Sequence, residues 1–126
     1  MSRSDSAVSL LVFEAAECLM AVPASEICHL QPETYIQKMG SDPFFDLGEY
    51  FHGRESDGPW LRWARGGHTA WLRVRRIIDV VPMPLSRLTP IPGMVDTPDH
   101  TCAFLAAGMT RGDMFLLLDP ARLSAR

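Results

Sequence analysis

At 126 residues, with 47% hydrophobic and 21% charged side chains, the chain has the make-up of one soluble domain with its own core. This excludes a largely disordered polymer and removes any need for disulfide or metal staples. No apolar run approaches the ~18 residues that cross a bilayer, the longest, TCAFLAAGM, stopping at Thr110-Arg111.

The net charge of −3 hides an uneven distribution: residues 1–59 carry ten acids against three bases, residues 60–90 six arginines against Asp79, and residues 91–126 four acids against three bases. Either the two halves attract each other or the basic stretch faces an acidic partner. The N-terminal MSRSDSAVSLLVF is a poor signal peptide, because Asp5, Glu14 and Glu17 interrupt it. Cys18, Cys28 and Cys102 are odd in number and lack metal spacing, which fits reduced, buried thiols in a cytosolic protein.

In chain order, the strand-forming run Leu10 to Phe13 opens the first unit, and Cys18 to Val22 pairs back on it after a turn at Ala16-Glu17. The short turn PASEI and a further strand ending at Pro32 complete it. This stretch, LLVFEAAECLMAVPASEICHLQP, is echoed fifty residues later by WLRWARGGHTAWLRVRRIIDVVP. Aligned without a gap, Leu11 meets Leu61, Phe13 Trp63, Val22 Leu72, Ala24 Val74, Ile27 Ile77, Leu30 Val80 and Pro32 Pro82. Only the apolar pattern repeats, so each copy is a β-turn-β unit that cannot bury its faces alone, and Ile27 and Ile77 are expected in the core. In the second copy Gly66-Gly67 is a two-residue hairpin loop that accepts positive φ.

Between the copies, Phe44 to Leu47 reads as a short strand and His52 to Pro59 as a polar connector. PMPLSRLTPIPGMVDTPDH, with five prolines, reads as a stiffened extended connection. A last hairpin joins TCAFLAAGM to MFLLL through Thr110-Arg111-Gly112-Asp113, and the unbroken apolar run of its second strand suggests cover on both faces. Asp119-Pro120 then has the form of an N-cap and first-turn proline opening a short helix through Leu123.

The order of these pieces, an apolar strand, a hairpin to VPASEICHL, a central P-x-x-D-L, a second copy ending RRIIDVV and a closing GDMFLLLDPARL, resembles the CheW-like domain, the fold of the bacterial chemotaxis coupling protein. The resemblance spans Val8 to Leu123. It implies an all-β fold of two SH3-like five-stranded barrels around a shared core with minor short helices, a single domain over 1–126 with lobes near 8–58 and 59–126. Pro43-Phe44-Phe45-Asp46-Leu47 matches the family's P-V-I-D-L, and Leu116-Leu117-Leu118-Asp119 its terminal L-L-D. Where the family usually has N-L-R-G, this chain has Ile36-Gln37-Lys38-Met39-Gly40. The arginine implicated in receptor contact is thus replaced by Lys38 without a gap, or by Met39 with one deletion.

No nucleophile elbow, P-loop, H-E-x-x-H or C-x-x-C occurs. Asp96, Asp99, His100 and Cys102 crowd one proline-rich loop, and Cys28-His29 lies elsewhere; mixed sets at such spacings read as polar loops. Asp46 with Glu49 reads as a turn cap and a solvated acid, with no second catalytic group near them. The Arg-Gly-Asp at 111–113 is a hairpin turn. These residues give no enzyme, metal or cofactor reading.

The resemblance therefore implies a cytoplasmic, non-enzymatic adaptor that binds the regulatory domain of a histidine kinase, and a chemoreceptor tip if the altered N-L-R-G region still serves that contact, without membrane insertion. Its partner-binding residues would be Lys38, Phe44, Asp46 and Leu47 by resemblance, with Arg73, Arg75 and Arg76 added by charge. Alternation sets Arg73 and Arg75 on one face with Val74 turned inward. The alternative is a nucleic-acid or small-ligand barrel using the arginines with Trp60, Trp63 and Trp71; a pI near 5.7 speaks against nucleic acid.

Overall fold

The computed structural model describes residues 6–32, 42–91 and 103–124. The first copy forms β1 (Ala7–Ala15), β2 (Cys18–Pro23), a 3-10 turn (Ala24–Glu26) and β3 (Ile27–Gln31). β4 (Phe44–Asp46) and the helix α1 (Leu47–His52) follow. The second copy forms β5 (Trp60–Arg65), β6 (His68–Arg73) and β7 (Arg76–Pro84). A 3-10 turn (Leu85–Arg87) leads to the two-residue β8 (Thr89–Pro90), then β9 (Phe104–Thr110), β10 (Asp113–Leu118) and a 3-10 turn (Pro120–Arg122).

The strands form two sheets, β7-β1-β2-β10-β9-β8 and β3-β5-β6-β4. The expected all-β architecture of two units on a shared core is present, and among the described residues the strands divide six and four. The units exchange strands. β3 of the first copy pairs with β5 of the second, while β7 of the second pairs with β1 of the first. The segment after each copy also behaves alike, β4 running parallel to β6 and β10 parallel to β2. The fifty-residue echo is therefore an approximate two-fold in space.

Half of the echoed positions line the seam, while Leu30 and Val80, which also echo each other, are exposed. Leu11, Phe13 and Val22 from the first copy and Leu61, Trp63, Leu72 and Val74 from the second join one buried cluster between the sheets. Ile27 and Ile77 are half-buried and pack against its margin rather than inside it. Leu10, Val12, Ala21, Met83 and Phe115 fill a second cluster on the other face of the six-stranded sheet, so its central strands are covered on both sides.

Cys18 and Cys28, expected to be buried, are exposed near the ends of their strands, and three further sequence expectations need correction. The strand drawn over Phe44 to Leu47 stops at Asp46, and Leu47 begins α1 with no exposed surface; sealed in the core, its side chain cannot reach a partner. β7 does not end at Pro82 but runs to Pro84, which an edge strand tolerates because its outward amides need no ladder partner. MFLLL is covered on both faces only in part, since Met114 is 59% exposed where the hairpin projects beyond the core.

Candidate partner-binding surface

Asp46 is spent on local structure. Its Oδ1 accepts the N–H groups of Gly48 and Glu49 at 3.0 and 3.2 Å, capping α1, while Ser56 brings its N–H to Oδ2 at 2.8 Å and its hydroxyl to Oδ1 at 2.7 Å. This ties the connector after α1 back to the helix start. Asp119 holds the matching place after β10, and its Oδ1 accepts the N–H of Ala121. Asp46 thus serves as the capping group that its sequence also suggested, and its carboxylate has little left to offer a partner.

Phe44 points away from the shared core. Its ring lies edge-on to Trp60 at 5.5 Å and stacked with Trp71 at 6.3 Å. Trp60, Trp63 and Trp71 are 9%, 1% and 5% exposed. Bases stack on exposed rings, so these tryptophans supply no such platform. Among the described residues, the indole N–H of Trp71 is a buried donor without a partner.

The arginines divide. Arg73 lies over the Trp60 ring with its Nε 3.2 Å from the Gly58 carbonyl. Gly58 is required at that point, because a Cβ there would overlap the Val74 and Arg75 carbonyls. Val74 is fully buried, as alternation implied. Arg75 and Arg76 lie beyond, both 66% exposed and sharing one carboxylate, with their Nε atoms 3.8 and 2.7 Å from Oε1 of Glu14. The exposed pair is therefore Arg75 with Arg76 rather than Arg73 with Arg75, since Arg73 is drawn onto the aromatic face. Arg75 also borders an open groove of about 200 Å³ that includes Glu17 of the first hairpin and His52, Arg54 and Asp57 beyond α1.

Most of the charge imbalance is settled inside the molecule. Arg62 bonds Asp42 at 3.0 Å, and Thr69 adds its hydroxyl to the same carboxylate; the Thr69 bond, then Arg62, hold Asp42 below the ordinary carboxylate range. Arg65 reaches Asp119 at 2.7 Å and Glu26 at 3.9 Å, while Trp63 donates its indole N–H to Glu26. Basic residues of the second copy thus pair with acids from outside it. Sequence reasoning missed Glu14, Glu26 and Asp119 as the acceptors, and only the lobe-by-lobe charge count hinted at them.

Exposed apolar side chains add a second feature. Ile78, Val80 and Leu85 are 38%, 50% and 51% exposed along β7 and its following turn, and Met109 and Met114 face each other across the β9–β10 hairpin at 57% and 59%. Lys38 and the loop residues Asp96, Asp99, His100 and Cys102 lie outside the described residues. Among the described residues no His, Cys, Asp and Glu group could hold a metal ion, and no helix is long and apolar enough to cross a membrane.

No family model and no curated protein sequence matches this chain. A solved structure does: the crystal structure of the scaffolding protein TtCheW from Thermoanaerobacter tengcongensis, at 17% identity and a TM-score of 0.70, covers 94% of this chain and 88% of that one. Two strand-exchanged β units on a shared core, matched over nearly their whole length, give this chain a CheW-like fold.

Proposed function

We propose that the protein is a non-enzymatic cytoplasmic adaptor that couples chemoreceptors to the regulatory domain of a histidine kinase in a chemotaxis-type signalling complex. The observation that carries this reading is the likeness to a scaffolding protein across 94% of the chain. Arg75 and Arg76 support it as a docking corner: two guanidinium groups, each 66% exposed, share the single Glu14 carboxylate and leave positive charge to steer an acidic partner. Phe44 and Arg73 would contribute through the aromatic face they share with Trp60. Receptor contact would fall to Lys38.

The test is titration of the histidine-kinase regulatory domain from the same genome into wild type and into Arg75→Gln/Arg76→Gln. Wild type should bind, and the double variant should bind more weakly and with a shallower salt dependence. Its thermal midpoint should be nearly unchanged, since exposed pairs contribute about 0–1 kcal/mol. Absence of wild-type binding removes the adaptor reading, whereas full-strength binding by the variant removes only the arginine corner.

A further inference from the structure

β7 ends the six-stranded sheet and, among the described residues, pairs only with β1. Its exposed Ile78 and Val80 make it the kind of apolar edge onto which another strand adds. The same strand carries the means of refusing one. From Asp79 to Pro84 its register with β1 is continuous, and Leu85 extends it by donating its N–H to the Ser6 carbonyl at 2.9 Å. Amides alternate sides along an antiparallel strand, so those of the odd-numbered residues 79–85 face β1. The positions facing outward are 80, 82 and 84.

Two of these three are Pro82 and Pro84, which have no N–H to give. The third, Val80, donates its N–H to Oδ1 of Asp79 at 2.7 Å, and the other Asp79 oxygen is held by Nη2 of Arg111, from the β9–β10 turn, at 2.8 Å. Just before this stretch the register slips, Val12 facing Asp79 and Phe13 facing Ile77, so Ile78 is the unmatched residue of a bulge, which bends an edge away from a straight partner. The other edge of the sheet, β8, is only two residues long.

We propose that Asp79, held by Arg111, is an autoinhibitory cap that, together with Pro82 and Pro84, stops a second copy of this chain from pairing its β7 with this one. With no free outward donor from Val80 to Pro84, an incoming strand finds carbonyls but no N–H groups. Any partner that meets Ile78 and Val80 does so through side chains. The inference stands apart from the adaptor reading, since it requires no kinase or receptor.

Sedimentation velocity over a wide concentration range tests it on wild type and on Asp79→Ala/Pro82→Val. Wild type should remain monomeric, and the double variant, folded by circular dichroism, should associate progressively with concentration. A folded double variant that stays monomeric throughout would overturn the proposal. A second readout covers the case in which that variant fails to fold: in dilute Asp79→Ala the Val80 amide should exchange about tenfold faster than in wild type, the loss of one hydrogen bond. Equal exchange rates would show that Asp79 caps nothing.

Discussion

Ala16 and Glu17 carry a backbone conformation that their side chains oppose. The β1–β2 loop holds them at φ 52° and 62°, close to the geometry that Gly66 and Gly67 adopt at 56° and 87° in the β5–β6 loop. The hairpin twist demands this turn wherever two residues join the strands, and Ala15 pairs with Cys18 as Arg65 pairs with His68. The echo thus specifies the turn in both copies, but only the second has the residues suited to it. A left-handed conformation costs an L-residue roughly 1–2 kcal/mol, so Ala16→Asn/Glu17→Gly should stabilise the protein by about 1 kcal/mol or more. Chemical denaturation would measure the gain. The reverse change, Gly67→Ala, should destabilise, and a neutral result at both loops would mean that the turn relaxes without penalty.

At the scale of the element, the spatial two-fold explains a resemblance within the chain that fifty-residue spacing does not reveal. Phe44-Phe45-Asp46-Leu47 leads from β4 into α1, and Leu117-Leu118-Asp119-Pro120 leads from β10 into a 3-10 turn. In each, an apolar residue, Phe45 or Leu118, enters the shared core and the next residue caps the helical turn that follows. The closing cap was legible because Pro120 marks a first helical turn. The central one was less so: LGEYFH is six residues long and carries a glycine, too little periodicity to overrule the strand reading of the aromatic pair before it. The caps should also differ in weight. Asp46 accepts from Gly48, Glu49 and Ser56, whereas Asp119 is 7% exposed and binds Arg65 across the sheets as well as its own turn. Asp46→Ala should cost about 1–2 kcal/mol, the range of a lost cap. Asp119→Ala should cost more, by up to about 3 kcal/mol, because a charge-assisted bond goes with the cap. Thermal unfolding of the two variants side by side decides the order, and equal losses would mean that the Arg65 bond contributes nothing.

At the scale of the molecule, strand exchange sets how the protein unfolds. β3 leaves the first copy to pair with β5, and β7 leaves the second to pair with β1, so each sheet requires residues from both lobes. The sequence showed that neither copy could bury its faces alone, but not that they would trade third strands, since pairing over such distances leaves no local pattern. The seam adds to the dependence: Met20 and Leu72, 1% and 0% exposed, come from different copies and share one cluster. The two lobes should therefore melt together. Trp60, Trp63 and Trp71 all belong to the second copy, with Trp63 at the seam, so tryptophan fluorescence follows that unit and its seam while far-ultraviolet circular dichroism follows both copies. Met20→Ala, a truncation in the first copy, should cost about 2–5 kcal/mol and lower both midpoints equally, with the curves coinciding as in one cooperative transition. If fluorescence kept its wild-type midpoint while circular dichroism lost an early fraction, the units would be separable folding domains, and exchange of β3 and β7 would be a contact between them rather than the frame that holds them.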